Sequence, residues 1–143
     1  MKLVRLIRHA QSAANAGLAT TAPATIALTD EGQRQARTLA ASIASTPDLI
    51  VSSAFERAMA TALPTAQRFP QVPCEQWPVE EFTYLSPDRF AATTQAERKP
   101  CADRYWDQAD AAMTDGPGAE SFDHLLGRAA TMLDQLARHD AED

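Results

Sequence analysis

Cysteine is scarce in this 143-residue chain, and the little there is excludes two architectures. Cys74 and Cys101 lie far apart and form no CxxC pair, so neither a disulfide framework nor a thiolate zinc site is expected. Long hydrophobic runs are missing too, since nothing reaches the roughly 18 apolar residues needed to cross a bilayer. The opening MKLVRLIRHA breaks its hydrophobicity with arginines too early for a secretory signal, and the protein is expected in the cytoplasm. There is no basic run. With 13 Lys and Arg against 19 Asp and Glu the net charge is −6, which argues against nucleic acid or an anionic membrane surface as partner. Repeats and low-complexity tracts are absent beyond a general richness in alanine. What is there is an ordinary globular composition, 45% apolar, of a length that suits one domain over residues 1–143.

The pattern along the chain alternates. Leu3, Val4, Leu6 and Ile7 read as a buried first strand, which ends at Arg8–His9. A loop through Pro23 leads to ALTDEGQRQARTLAASIAS, where Thr29 is a candidate N-cap, Asp30 and Glu31 charge the first turn, and Ala36, Leu39, Ala40 and Ile43 mark a helical face. DLIVSS has strand length. AFERAMATALPTAQRF is again helical, with Pro64 expected to kink or loosen it, and QVPCEQW is a weak third strand. Strand–helix alternation of this kind predicts an α/β sandwich with parallel strands. From Trp77 to Gly118 the periodicity fails between Pro78, Pro87, Pro100 and Pro117, which suggests a binding loop or lid with room for short helices. Ser121 then caps a last helix with Phe122, Leu125, Leu126, Ala129, Met132, Leu133 and Leu136 on one face.

Ligands of open α/β sheets bind beyond the carboxyl ends of the strands. Arg8 and His9 follow the first strand, Ser52, Ser53 and Arg57 the second, and Glu80 and Glu81 the third. Two guanidinium groups, an imidazole, hydroxyls and a carboxylate make up the inventory for phosphoryl transfer through a covalent intermediate. Arginine forks match phosphate oxygens, and a neutral imidazole nitrogen is a nucleophile. Ser12 and Asn15 have a plainer role open to them, satisfying the backbone of a turn. Arg89, Arg98 and Lys99 read as solvated loop cations, with steering of a substrate from the lid as the alternative, and His124 and His139 as surface residues of the last helix.

These residues stand in recognisable segments. LIRHAQSAAN resembles the RHG motif of the histidine phosphatase superfamily, the phosphoglycerate mutase-like proteins. LTDEGQRQA resembles that family's LTxxGxxQA, SSAFERAMATA its SSxxxRAxxTA, and GAESFDHLLGR its GES-containing segment before the last long helix, all in the family's order. The resemblance implies a three-layer α/β/α sandwich with a mostly parallel sheet. It implies that His9 attacks phosphorus to form a phosphohistidine, that Arg8 and Arg57 hold the transferring oxygens, and that Glu81, rather than the adjacent Glu80, protonates the leaving oxygen. Ser12 and Asn15 match positions that approach phosphate or substrate. The implied partner is a small phosphorylated molecule, with no metal or other cofactor. Hydrolysis of phosphomonoesters is the expected reaction, with a mutase-type isomerisation as a close variant and a non-catalytic phosphate-binding or interaction domain as the rival.

Two departures qualify the resemblance. Ala10 stands where the family has glycine, which narrows the backbone conformations open to the loop. The family also carries a second histidine in a strand-end HG motif after the last helix, and its strand order is 3-2-4-1-5-6. The 143 residues supply strands 1, 2 and 3 only, so the domain is expected to be incomplete at its C-terminus. An unpaired first strand would leave backbone groups unsatisfied at about 1–3 kcal/mol each. Self-association through exposed strand edges is therefore expected.

Overall fold

The structure, a computed structural model, describes residues 3–139. Helix α1 spans Asp30–Ser42, strand β1 Ile50–Ser52, helix α2 Glu56–Arg68, strand β2 Cys74–Gln76, helix α3 Gln95–Gln108 and helix α4 Phe122–Arg138, with a short 3-10 turn at Pro23–Thr25. The start of α1 is fixed by Thr29, whose hydroxyl accepts from the Gly32 N–H at 3.0 Å. Each of the first two helices buries one stripe at four-residue spacing: Gly32, Ala36 and Ala40 on α1, and Arg57, Thr61 and Thr65 on α2. Small side chains let α1 and α2 pack together closely. Helix α2 runs on through Pro64, although the ring removes one backbone donor.

Strands β1 and β2 pair in parallel, Ile50 opposite Cys74 and Ser52 opposite Gln76. They are the second and third strands of the expected order and lie side by side as that order requires. The first strand read from the sequence does not form. Residues 3–7 belong to no sheet, and Leu3 and Leu6 are 75% and 87% exposed. The reason is physical: a strand exists only against a neighbour, and among the described residues β1 pairs with β2 alone. Helix α4 begins where Ser121 predicts, its hydroxyl accepting from the His124 N–H at 3.2 Å, but its apolar face is only partly covered. Leu126 and Leu133 stay exposed, and no residue of α4 is buried.

Helix α3 occupies the long segment without periodicity. A capping box opens it: the Thr94 hydroxyl accepts from the Glu97 N–H, and the Glu97 carboxylate accepts from the Thr94 N–H at 2.7 Å. Its Tyr105 and Trp106 join Phe82, Tyr84 and Phe122 in an aromatic cluster with ring centroids 5.0–6.2 Å apart. Ser86, fully buried, ties the segment to itself by donating to the Pro117 carbonyl at 2.7 Å and, through its N–H, to Asp115 at 2.9 Å. No helix among the described residues is long and apolar enough to cross a membrane.

Candidate active site

The loop after residue 8 is held from both helices. The Ala10 N–H donates to the Thr61 hydroxyl of α2 at 3.0 Å, and that hydroxyl donates to the Arg57 carbonyl at 2.7 Å. The Gln11 N–H donates to the Gln35 side chain of α1 at 2.9 Å, while the Gln11 carbonyl accepts from the Thr29 N–H at 3.0 Å. Gly32 makes this approach feasible, because a Cβ there would stand 2.1 Å from the Gln11 carbonyl oxygen. The loop therefore lies directly on α1. Ser12 and Asn15 close the turn on themselves: the Ser12 N–H and hydroxyl both donate to Asn15 Oδ1, at 3.1 and 2.9 Å.

His9 emerges from this loop largely buried, into a cleft of about 490 Å³. Its Nδ1 lies 2.8 Å from the Ala10 carbonyl oxygen, which can only accept, so Nδ1 carries a proton, and in the neutral imidazole Nε2 is the nitrogen that holds the lone pair. Nε2 is 3.6 Å from Glu81 Oε2. The same oxygen accepts from the Arg57 guanidinium at 2.9 Å, and the other arm of that guanidinium donates to the Pro23 carbonyl at 2.5 Å. Arg57, in the first turn of α2, is buried to 6% exposure and lies over the Phe55 ring, whereas the Glu81 side chain is 60% exposed. A fixed cation and an unhindered imidazole nitrogen thus meet a carboxylate with room to move.

The structure brings His9, Ser12, Asn15, Arg57 and Glu81 to one cleft. Arg8 is elsewhere: its side chain is exposed, outside the cleft lining, and makes no hydrogen bond or ion pair with a described residue. Glu80 faces away toward Arg128, 4.0 Å off. Arg98 and Lys99, read from the sequence as solvated, line the far wall of the cleft with Phe82, Tyr84 and Phe90, although Lys99 is paired with Asp103 at 2.7 Å. Arg89 is paired with Asp115 at 2.6 Å. His124 and His139 are exposed on α4 and at its end. Among the described residues no group of three or more His, Cys, Asp or Glu could hold a metal ion.

Sequence reasoning missed Arg128 and Glu120. The Arg128 guanidinium of α4 forks onto the Glu120 carboxylate, with Nε donating to Oε2 at 2.9 Å and Nη2 to Oε1, and both side chains are only 13% exposed. This hydrogen bonding holds the Glu120 carboxyl below the usual carboxylate range against the opposing effect of burial, and raises Arg128. The signal was in the string: Glu120 sits in GAES and Arg128 eight residues on, two helical turns apart along α4 and its cap.

Fold and cleft together define a phosphoglycerate mutase-like α/β protein. The chain belongs to the histidine phosphatase superfamily (branch 1), which it matches over residues 4–143. Among solved structures it is similar to the alpha-ribazole phosphatase of Shigella flexneri, with 22% identity and a TM-score of 0.72 over 94% of this chain and 67% of that one. It is also similar to a mycobacterial glucosyl-3-phosphoglycerate phosphatase, with 25% identity and a TM-score of 0.69 over 92% of this chain. The latter protein has been solved in complex with VO3 as well. The chain spans 61% of that mycobacterial structure's length. No curated protein matches it by sequence.

Proposed function

We propose that this chain carries a metal-independent phosphatase site that hydrolyses small phosphomonoesters through a phosphohistidine at His9. The observation that carries the reading is the convergence of His9 Nε2 and the Arg57 guanidinium on one Glu81 oxygen, at 3.6 and 2.9 Å, inside the cleft. His9 Nε2 attacks phosphorus, forming the P–N bond as the ester P–O bond breaks. Arg57 steadies the charge on the phosphoryl oxygens, and Glu81 gives a proton to the departing alkoxide. Water then attacks the phosphoryl group, Glu81 takes its proton, the P–N bond breaks, and phosphate and free His9 result. The mycobacterial relative, itself a phosphatase, supports hydrolysis over isomerisation. The aromatic wall of Phe82, Tyr84 and Phe90 supports a leaving group that lies flat against it. Cys74 and Cys101, both unpaired, support a reducing cytoplasmic setting.

The position of Arg8 outside the cleft favours a second reading, a domain that binds phosphate without turning it over. Incubation with a 32P-labelled phosphomonoester separates the two. The catalytic reading expects acid-labile label on the chain that His9→Ala removes. Binding of inorganic phosphate with no label in either protein would leave the second reading standing and overturn the first.

A further inference from the structure

Glu81 sits in a stretch with no regular structure, between Trp77 and the capping residue Thr94. Nothing in its own backbone pattern keeps it facing His9. Two anchors hold the stretch. Arg128 Nη1 donates to the Pro78 carbonyl at 2.8 Å, and both Nη atoms reach the Glu80 carbonyl at 3.3 Å. Beyond Glu81, the Glu120 N–H donates to the Thr83 carbonyl at 2.9 Å. Among the described residues, apart from the local Val79 N–H donating to the Trp77 carbonyl at 2.8 Å, these are the hydrogen bonds that tie the main chain of residues 78–83 to the rest of the protein. The two anchoring residues are locked to each other by the Arg128–Glu120 fork. One ion pair therefore grips the chain on both sides of Glu81.

We propose that Arg128, braced by Glu120, is a positioning residue for Glu81, fixing which of the adjacent carboxylates Glu80 and Glu81 faces His9. In an extended stretch neighbouring side chains point to opposite sides. Holding the Glu80 carbonyl and drawing the Glu80 side chain toward Arg128 turns Glu81 to the cleft. The ion pair itself lies outside the cleft lining and touches no reacting atom. This inference rests on the reading of Glu81 as proton donor, so its test must separate the two.

Turnover of an alkyl phosphate, whose alkoxide needs a proton to leave, is compared with turnover of p-nitrophenyl phosphate, whose leaving group does not. Glu81→Gln is the reference. Arg128→Lys keeps a charge for Glu120 but cannot span both carbonyls, and Arg128→Met and Glu120→Gln remove the fork. The 15N resonances of the His9 ring give a readout that needs no turnover. The expectation is that all three fork variants lose at least tenfold more activity on the alkyl than on the aryl ester, and shift the His9 resonances in the direction seen in Glu81→Gln. Arg128→Lys, the variant closest to the parent in stability, should show the pattern at reduced size. Equal losses on both esters with unmoved His9 resonances, while Glu81→Gln is selective and shifts them, would overturn the positioning role alone. A Glu81→Gln that is itself unselective would overturn the proton-donor reading, and the positioning role with it.

Discussion

Two arginine–glutamate pairs flank one short stretch of chain, and they are built to opposite specifications. In Arg57–Glu81 a buried cation meets a carboxylate that is mostly in solvent, through one hydrogen bond at 2.9 Å. In Arg128–Glu120 both partners are withdrawn from water, and the guanidinium offers a fork to one carboxylate and its remaining donors to backbone carbonyls. A pair that must exchange a proton and admit a substrate needs one loose member. A pair that must hold a loop needs none. Under the proposed mechanism the same residue types thus serve reaction in one place and shape in the other, and burial decides which.

The contrast can be broken most directly at the glutamates. Glu81→Gln should cost about 10²–10⁴-fold in turnover of alkyl phosphates yet stay within about 1 kcal/mol of the parent in urea unfolding, as expected for an exposed partner. Glu120→Ala should do the reverse in stability, losing about 1.5–3 kcal/mol because it leaves a guanidinium largely withdrawn from water without its carboxylate. If urea melts place the two variants at the same stability, the distinction drawn here is wrong.

Gly32→Ala sharpens the comparison from a third side. The added methyl meets a main-chain oxygen, not the end of a flexible side chain, so the Gln11 loop must move. A loss of about 1–3 kcal/mol is expected, together with reduced labelling of His9, measured on the same preparation.

The smallest effect concerns acid. Glu120 has a folded-state pKa below its ordinary value, so its contribution is fully present above that ordinary value and is lost as pH falls through the lowered one. Urea midpoints followed from about pH 7 to about pH 3 should decline in the parent partly on this account. Glu120→Gln should show a shallower decline over the acid limb. An identical pH profile in the two proteins would remove Glu120 from the acid response.

Much of this was legible in the string because it is local. Thr29 and Ser121 cap helices where their positions predict, and Ile50–Ser52 and Cys74–Gln76 fall within the runs that suggested strands. Helix α3 escaped because its two faces differ little, yet its Thr94-x-x-Glu97 capping box was readable. Residues 3–7 carry a strand's composition but no strand, since pairing is a relation between segments and not a property of one. Adjacency misled in a similar way at the cleft: Arg8 and His9 are neighbours in sequence and part company in space. Between Glu80 and Glu81 the resemblance favours Glu81, but what turns the two side chains apart is a residue 48 positions beyond Glu80, Arg128.

His9 also stands at a frontier that amide proton exchange would make visible. Residues 3–8 donate no backbone hydrogen bond to a described residue, whereas the N–H groups of Ala10, Gln11 and Ser12 are each engaged. Deuterium should enter the first group almost at the rate of an unfolded peptide and the second far more slowly. The imidazole is thus carried at the margin of the protected chain. Any ligand that orders the preceding residues would register as a slowing of exchange that spreads outward from His9 toward Leu3.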